Sequence, residues 1–354
     1  MPALARGAAL AVLLLFSGAS TAQTQTQTQT QTQTQTQTQT QTQTQTQTQT
    51  QTQTWPTRAV TLVVPFAAGG GTDVLGRIVA RRLSETLGQQ VIVENVGGAG
   101  GMMGSARVAK SPPDGYQVVL GSRADAINQT LYKTPLYSLM NDLDPVVLVA
   151  DQPTVMVARK DLAVNGLQEF IAYTKANQGR MQFGSAGAGS TGFIDCALFN
   201  AAIGVNVTHV PYRGGGPAMQ DLMGGRIDYF CTLTGTAVPQ IENGAIKAIA
   251  VMTRERAPML PNVPSTWEQG FKDFEASTWF GFYVPRGTPA TVIKRLHDAT
   301  VEAIDTPSVQ EQLLKSGSIA VAPDRRSTEF LKSFTASEIG KNGAPIKAAG
   351  MLIE

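Results

Sequence analysis

Two short stretches hold the residues best suited to chemistry. Gly69-Gly70-Gly71-Thr72-Asp73 follows the run Val60-Thr61-Leu62-Val63-Val64-Pro65-Phe66, and Gly184-Ser185-Ala186-Gly187-Ala188-Gly189-Ser190-Thr191 follows Met181-Gln182-Phe183. Behind each, apolar residues recur at helical spacing: Leu75, Ile78, Val79, Leu83 and Leu87 after the first, Ile194, Leu198 and Phe199 after the second. Glycine lets a backbone approach a ligand closely and take positive φ values. A helix start presents unpaired N–H groups, where a carboxylate or phosphate is welcome. Thr72 or Asp73 is placed to cap the first helix. The expected chemistry is therefore anion binding. A single loop of this kind would be explained as well by packing of strand on helix, but two can face each other across a cleft.

Catalysis finds little support. Gly187-Ala188-Gly189-Ser190-Thr191-Gly192 has the spacing of a dinucleotide fingerprint, yet the next strand, Val207-Thr208-His209, ends without the acidic residue that would hold a ribose. There is no Gly-Lys-Ser/Thr of a phosphate loop. The chain has two histidines, His209 before a Pro211-Tyr212 turn and His297 on a C-terminal helix, and neither sits beside a nucleophile elbow in the sequence. Two histidines and two cysteines at these spacings make no metal cluster. No catalytic residue, cofactor or metal is expected.

Stepping outward along the chain, Met1 to Ala22 combines Arg6, an apolar stretch from Ala8 to Phe16, and small residues before Gln23. This reads as an export signal cleaved after Ala22. Gln23 to Thr54 is Gln-Thr repeated sixteen times, a polar tether with nothing to bury, whose ends should lie about 30 to 40 Å apart. The 300 residues from Trp55 to Glu354 exceed the size at which one core usually keeps growing. A net charge of +2 with 15% charged residues leaves no basic face for nucleic acid.

Strand and helix patterns alternate throughout. Strands are expected at Val91–Glu94, Gln117–Gly121, Val155–Val157, Met181–Phe183, Val207–His209, Ile227–Phe230, Ala248–Val251 and Trp279–Val284. The alternation predicts two parallel-sheet α/β domains with ligands at the carboxyl ends of the strands, where both glycine loops lie. Cys196 falls about one turn into the helix after the second loop, and Cys231 ends the strand Ile227–Phe230. In a βαβαβ unit those ends meet on one side of the sheet, so an exported protein could oxidise them; two buried free thiols are the alternative.

The segments Val63-Val64-Pro65-Phe66 with Gly69–Asp73, Val93-Glu94-Asn95 with Gly98-Ala99-Gly100-Gly101, Pro113-Asp114-Gly115-Tyr116, His209-Val210-Pro211-Tyr212-Arg213-Gly214, and Trp279 with Pro285, Gly287, Thr288 and Pro289 resemble, in this order, the Bug (Bordetella uptake gene) family. These are periplasmic solute-binding receptors of tripartite tricarboxylate transporters. The resemblance implies a type II periplasmic-binding-protein (Venus flytrap) fold: one domain of residues 55–156 plus 277–354 and a second of 157–276, joined by two crossing strands and hinged near Val155 to Ala158 and Phe274 to Phe280. It implies a monomer in the periplasm that closes over a small carboxylate (a dicarboxylate, amino acid or aromatic acid) and passes it to membrane subunits. A sensor that presents the carboxylate to a signalling partner would use the same closure.

Carried onto this chain, the carboxylate falls to Gly70, Gly71, Thr72 and Asp73 on one wall and to Ser185, Ala186, Gly187, Ala188, Gly189 and Ser190 on the other, with Arg213 close by. Where many relatives have a histidine in the helix after the second loop, this chain has Phe193, and Ser122 is followed by Arg123-Ala124-Asp125 in a loop. Asp125 or Arg123 would read a polar substituent and Phe193 would line an apolar wall. Alternatively, Arg123 and Asp125 form a surface pair and Phe193 is core.

Overall fold

The β-branched run Val60–Val64 (β1) has no polar alternation because both of its faces are covered, and four of its five residues are buried. In the computed structural model, which describes residues 55–353 apart from positions 273 and 349, β1 lies between Val91–Asn95 (β2) and Gln117–Ser122 (β3). Both pairings are parallel, with Val60 opposite Val91 and Leu62 opposite Val118. The export signal and the Gln-Thr repeat lie outside the described residues. Helices Gly71–Leu87 (α1) and Met102–Ala109 (α2) connect these strands, and Arg123–Leu131 (α3) and Leu139–Asp142 (α4) follow.

The second parallel set is built the same way. Leu167–Asn177 (α5) precedes Gln182–Ser185 (β5), which leads into Thr191–Ile203 (α6), Thr208–Pro211 (β6), Gly215–Met223 (α7), Tyr229–Leu233 (β7), Thr234–Glu242 (α8) and Ile246–Val251 (β8). Strand β5 pairs in parallel with both β6 and β7. The chain ends with Ser277–Pro285 (β9), Ala290–Asp305 (α9), Pro307–Lys315 (α10), Ile319–Ala320 (β10) and Thr328–Ala348 (α11).

The two sets meet through a strand longer than the sequence suggests. Leu143–Arg159 (β4) has 17 residues, of which only Val155–Val157 are expected to be extended. Pro145, Pro153, Asp144 and Asp151 interrupt its apolar pattern, but pairing with β9 holds it straight from Leu143 to Pro153, with two register shifts that absorb the misfit. At Thr154 the partners change, and β4 continues antiparallel to β7 and β8. The sheet order is β2-β1-β3-β9-β4-β7-β5-β6, so the central crossings are antiparallel and the outer strands parallel. Apolar clusters cover both faces of each half. One gathers around Leu75, Phe280 and Leu296, another around Phe170, Phe199 and Tyr229. Trp279 packs within a third, its indole N–H donating to Glu338 at 3.0 Å.

Arg123, Ala124 and Asp125 open a helix rather than a loop. Ser122 Oγ accepts from the Ala124 N–H, and Asp125 accepts from the Ser122 N–H at 2.7 Å. The reciprocal pair closes a capping box, which the sequence carries as Ser-x-x-Asp.

Candidate functional site

Strands β1, β3, β5 and β7 end at one cavity. The N-termini of α1, α3, α6, α7 and α8 all reach it, through Gly70 and Thr72, Ser122, Ser190 and Gly192, Gly215, and Thr236. Each helix places roughly half a positive charge at its start. No Asp, Glu, Lys, Arg or His lines the cavity among the described residues. The N–H groups of Gly70, Thr72, Thr191 and Gly192 donate to no other protein group among them. The strand side adds Cys231, Thr232, Leu233 and Thr278, and three rings, Phe66, Phe230 and Phe280, complete the wall. Such a surface attracts an anion without offering a counter-ion, and packs an apolar body against three rings.

The first loop is braced by charge. Asp73 faces away from the cavity and accepts the Gly69 N–H at 3.0 Å, the Asn95 amide at 2.9 Å and the Arg77 guanidinium at 3.0 Å. Burial alone would raise its pKa, but these donors outweigh it and hold the carboxyl below the usual carboxylate range. Gly71 lies on the cavity wall and donates its N–H to Thr236 on α8 at 2.7 Å, a bond between the two halves of the sheet. Ala67 N–H donates to the Arg213 carbonyl at 3.0 Å, a second such bond.

The second loop is braced without charge. Ser185 is fully buried, accepts the Gly187 N–H at 3.0 Å and lies 2.7 Å from His209 Nε2. His209 is sandwiched between Phe183 and Phe193, ring centroids 4.9 and 4.6 Å away, and burial depresses its pKa to about 4. Ser190 caps α6 by accepting the Phe193 N–H. Cys196 and Cys231 form a disulfide with Cα atoms 5.5 Å apart, joining α6 to β7 at the cavity wall, which Cys231 lines. A Cβ on Gly192 would overlap the Cys231 carbonyl, so the start of α6 lies flush on β7.

The residues singled out in the sequence thus divide. Gly70, Gly71, Thr72, Ser122, Ala186 and Ser190 line the cavity together. Asp73, Ser185 and Gly187 stand behind it and hold the loops. The Ala188 carbonyl accepts from Tyr132 at 3.2 Å, and Gly189 packs against Asn128, away from the cavity lining. Arg123 pairs with buried Asp195 at 2.7 Å, not with Asp125, and also reaches Asn342. Asp125 is buried beneath the cavity wall, accepting from Ser105 and Tyr137 at 2.5 Å each. Its burial raises its pKa despite those donors. Phe193 covers His209, and Arg213 is exposed, contributing its carbonyl alone.

The sequence reading missed the strand side of the cavity: Thr232 and Leu233 from β7, and Thr278 and Phe280 from β9. It also missed the partner of His209. Ser185 and His209 have the separation of a catalytic pair, but the serine is sealed from the cavity, and His209 Nδ1 meets no carboxylate among the described residues.

Residues 75–351 match the family model described as tripartite tricarboxylate transporter family receptor. The chain belongs to that family. It is 40% identical over 296 residues to a protein from the ttuE–ttuC′ intergenic region of Agrobacterium vitis, covering 84% of this chain and 86% of that one. The fold superposes on the periplasmic binding protein BugD with a TM-score of 0.82 at 35% identity, covering 85% of this chain and all of BugD. It superposes on MatC of Rhodopseudomonas palustris, solved with bound malate, with a TM-score of 0.80 at 34% identity, covering 82% of this chain and all of MatC. The receptor is therefore an α/β periplasmic-binding-protein fold of the Bug type, in a family of binding proteins rather than enzymes. The receptor's two glycine loops occupy the mouths of its two parallel strand sets.

Proposed function

We propose that this receptor captures one small carboxylate in the cavity and delivers it to the membrane subunits of a tripartite tricarboxylate-type transporter. The observation that carries the reading is the convergence of five helix starts, from both halves of the sheet, on a cavity with no ionised side chain. Charge-assisted hydrogen bonds are worth about 1.5 to 3 kcal/mol each, so four free N–H groups offset the desolvation of one carboxylate. The lobes 55–156 with 277–354, and 157–276, swing about the crossings around Pro153–Thr154 and the entry to β9. A ligand touching both loops holds them shut. The chain works as a monomer in the periplasm, the leader being removed after Ala22. Malate bound to MatC supports a carboxylate as the ligand class.

Thermal unfolding and calorimetry against mono-, di- and tricarboxylates, amino acids and aromatic acids test the reading. An acid at a hundred times its Kd should add about 2.7 kcal/mol to unfolding. If no member of the panel moves the melting temperature, the carboxylate assignment fails. Deleting the gene should abolish uptake of the acid that binds; unaltered uptake would count against delivery.

A further inference from the structure

Thr278 lies on β9 on the same strand face as Phe280, and both line the cavity. Its Oγ1 is buried and has no hydrogen-bond partner among the described residues. The residue opposite it on β4, Gln152, does not satisfy it: the Gln152 amide nitrogen donates to Ser318 at 2.5 Å, and its Oε1 is itself unpartnered. A buried hydroxyl without a partner lowers stability, so a fold that needed Thr278 only for packing would do better with valine, its isostere. The hydroxyl also differs in kind from the helix-terminal donors. It sits on the second residue of a strand, carries no helix dipole, and both donates and accepts. It is suited to a neutral polar group rather than to the carboxylate.

Resting on the carboxylate reading above, we propose that Thr278 recognises a hydroxyl or carbonyl substituent on the carbon chain of the captured acid, and so selects substituted acids over plain ones. A site built to hydrogen-bond such a group rejects the analogue lacking it, because its own polar atom is left buried and unpaired.

Calorimetry with matched pairs tests this: propionate and lactate, succinate and malate, phenylpropionate and phenyllactate. In whichever pair binds, the wild type should favour the hydroxy acid by about tenfold, the worth of one net hydrogen bond. Thr278→Val should abolish that preference, and its unliganded melting temperature should equal or exceed that of the wild type. Thr278→Ser should retain the preference. A preference that survives in Thr278→Val overturns the proposal. So does an equal loss for both acids with a lowered melting temperature, which would mark a structural hydroxyl. Plain acids bound without preference by the wild type would overturn Thr278's role and leave the carboxylate reading standing. If no acid binds, both fall.

Discussion

The two glycine loops present similar surfaces to the cavity, but the structure behind them differs. The first is pinned by an ionised carboxylate, Asp73, with Gly69, Arg77 and Asn95 as its donors. The second is pinned by a neutral Ser185–His209 contact and by the Cys196–Cys231 bond. An ionised brace holds through the pH range in which its carboxylate stays charged. A covalent brace ignores pH but depends on the oxidising compartment in which it forms. The two walls should therefore fail under different conditions.

Removing the disulfide should have the largest effect. With the cysteines 35 positions apart in the sequence, the chain-entropy account gives about 3 to 4 kcal/mol. Cys196→Ala with Cys231→Ala should lower unfolding stability by that amount and weaken carboxylate binding, since α6 is released from β7. Denaturant unfolding with calorimetry checks both, and stability unchanged by the double variant would show that packing alone holds the second wall.

Asp73→Ala should come next. It strands the Gly69 N–H, the Asn95 amide and part of Arg77, at a combined cost of about 2 to 3 kcal/mol. The side chain does not line the cavity, so affinity should fall through loss of loop order, and Asp73→Asn should restore a part of it. Because the folded pKa is depressed, the stability Asp73 supplies is present above the unfolded value of about 3.9 and is lost only as pH drops through the lower folded value. If Asp73→Ala binds as tightly as the wild type, the ionised brace has no role in the site.

The loops were readable in the sequence because glycine and β-branched residues report local backbone needs. The braces were not, since they depend on distant partners. Asp73 looks like a ligand-binding residue until Asn95, arriving from β2, is seen to bond it. His209 looks alone until β5 and β6 pair in parallel, with Phe183 opposite His209, bringing Ser185 within reach. The strand wall was hidden for a related reason. Whether Thr278 or Trp279 faces the cavity is set by the register of β9 on β4, and two bulges in that ladder leave no periodicity to read. Arg123 and Asp125 were legible in part: the capping box was present at Ser122, but the cross-sheet pairing of Arg123 with Asp195 was not.

Ser185→Ala should cost less, about 1 to 2 kcal/mol, because it leaves the buried Gly187 N–H and the His209 ring without their shared partner. Binding should weaken with it. An effect on a hydrolytic background, with binding intact, would instead revive the pair as chemistry.

The smallest effect separates the walls by pH. His209 has a folded pKa of about 4, below the unfolded value of about 6.5, so the unfolded chain binds the extra proton first. Stability is then full above pH 6.5 and declines toward pH 4, with no further loss from this group below that. The ring is partly open to solvent, which screens the effect, so about 1 kcal/mol is expected over the whole window. Asp73 adds to the slope only at the acid end, as pH nears its unfolded value of about 3.9, because above that it is ionised in both states. Melting temperatures between pH 4 and 7 should therefore slope in the wild type and flatten in His209→Gln, while Asp73→Ala keeps the slope from a lower baseline. A slope that survives in His209→Gln would assign the proton to another group and remove the contrast between a charged and a neutral wall.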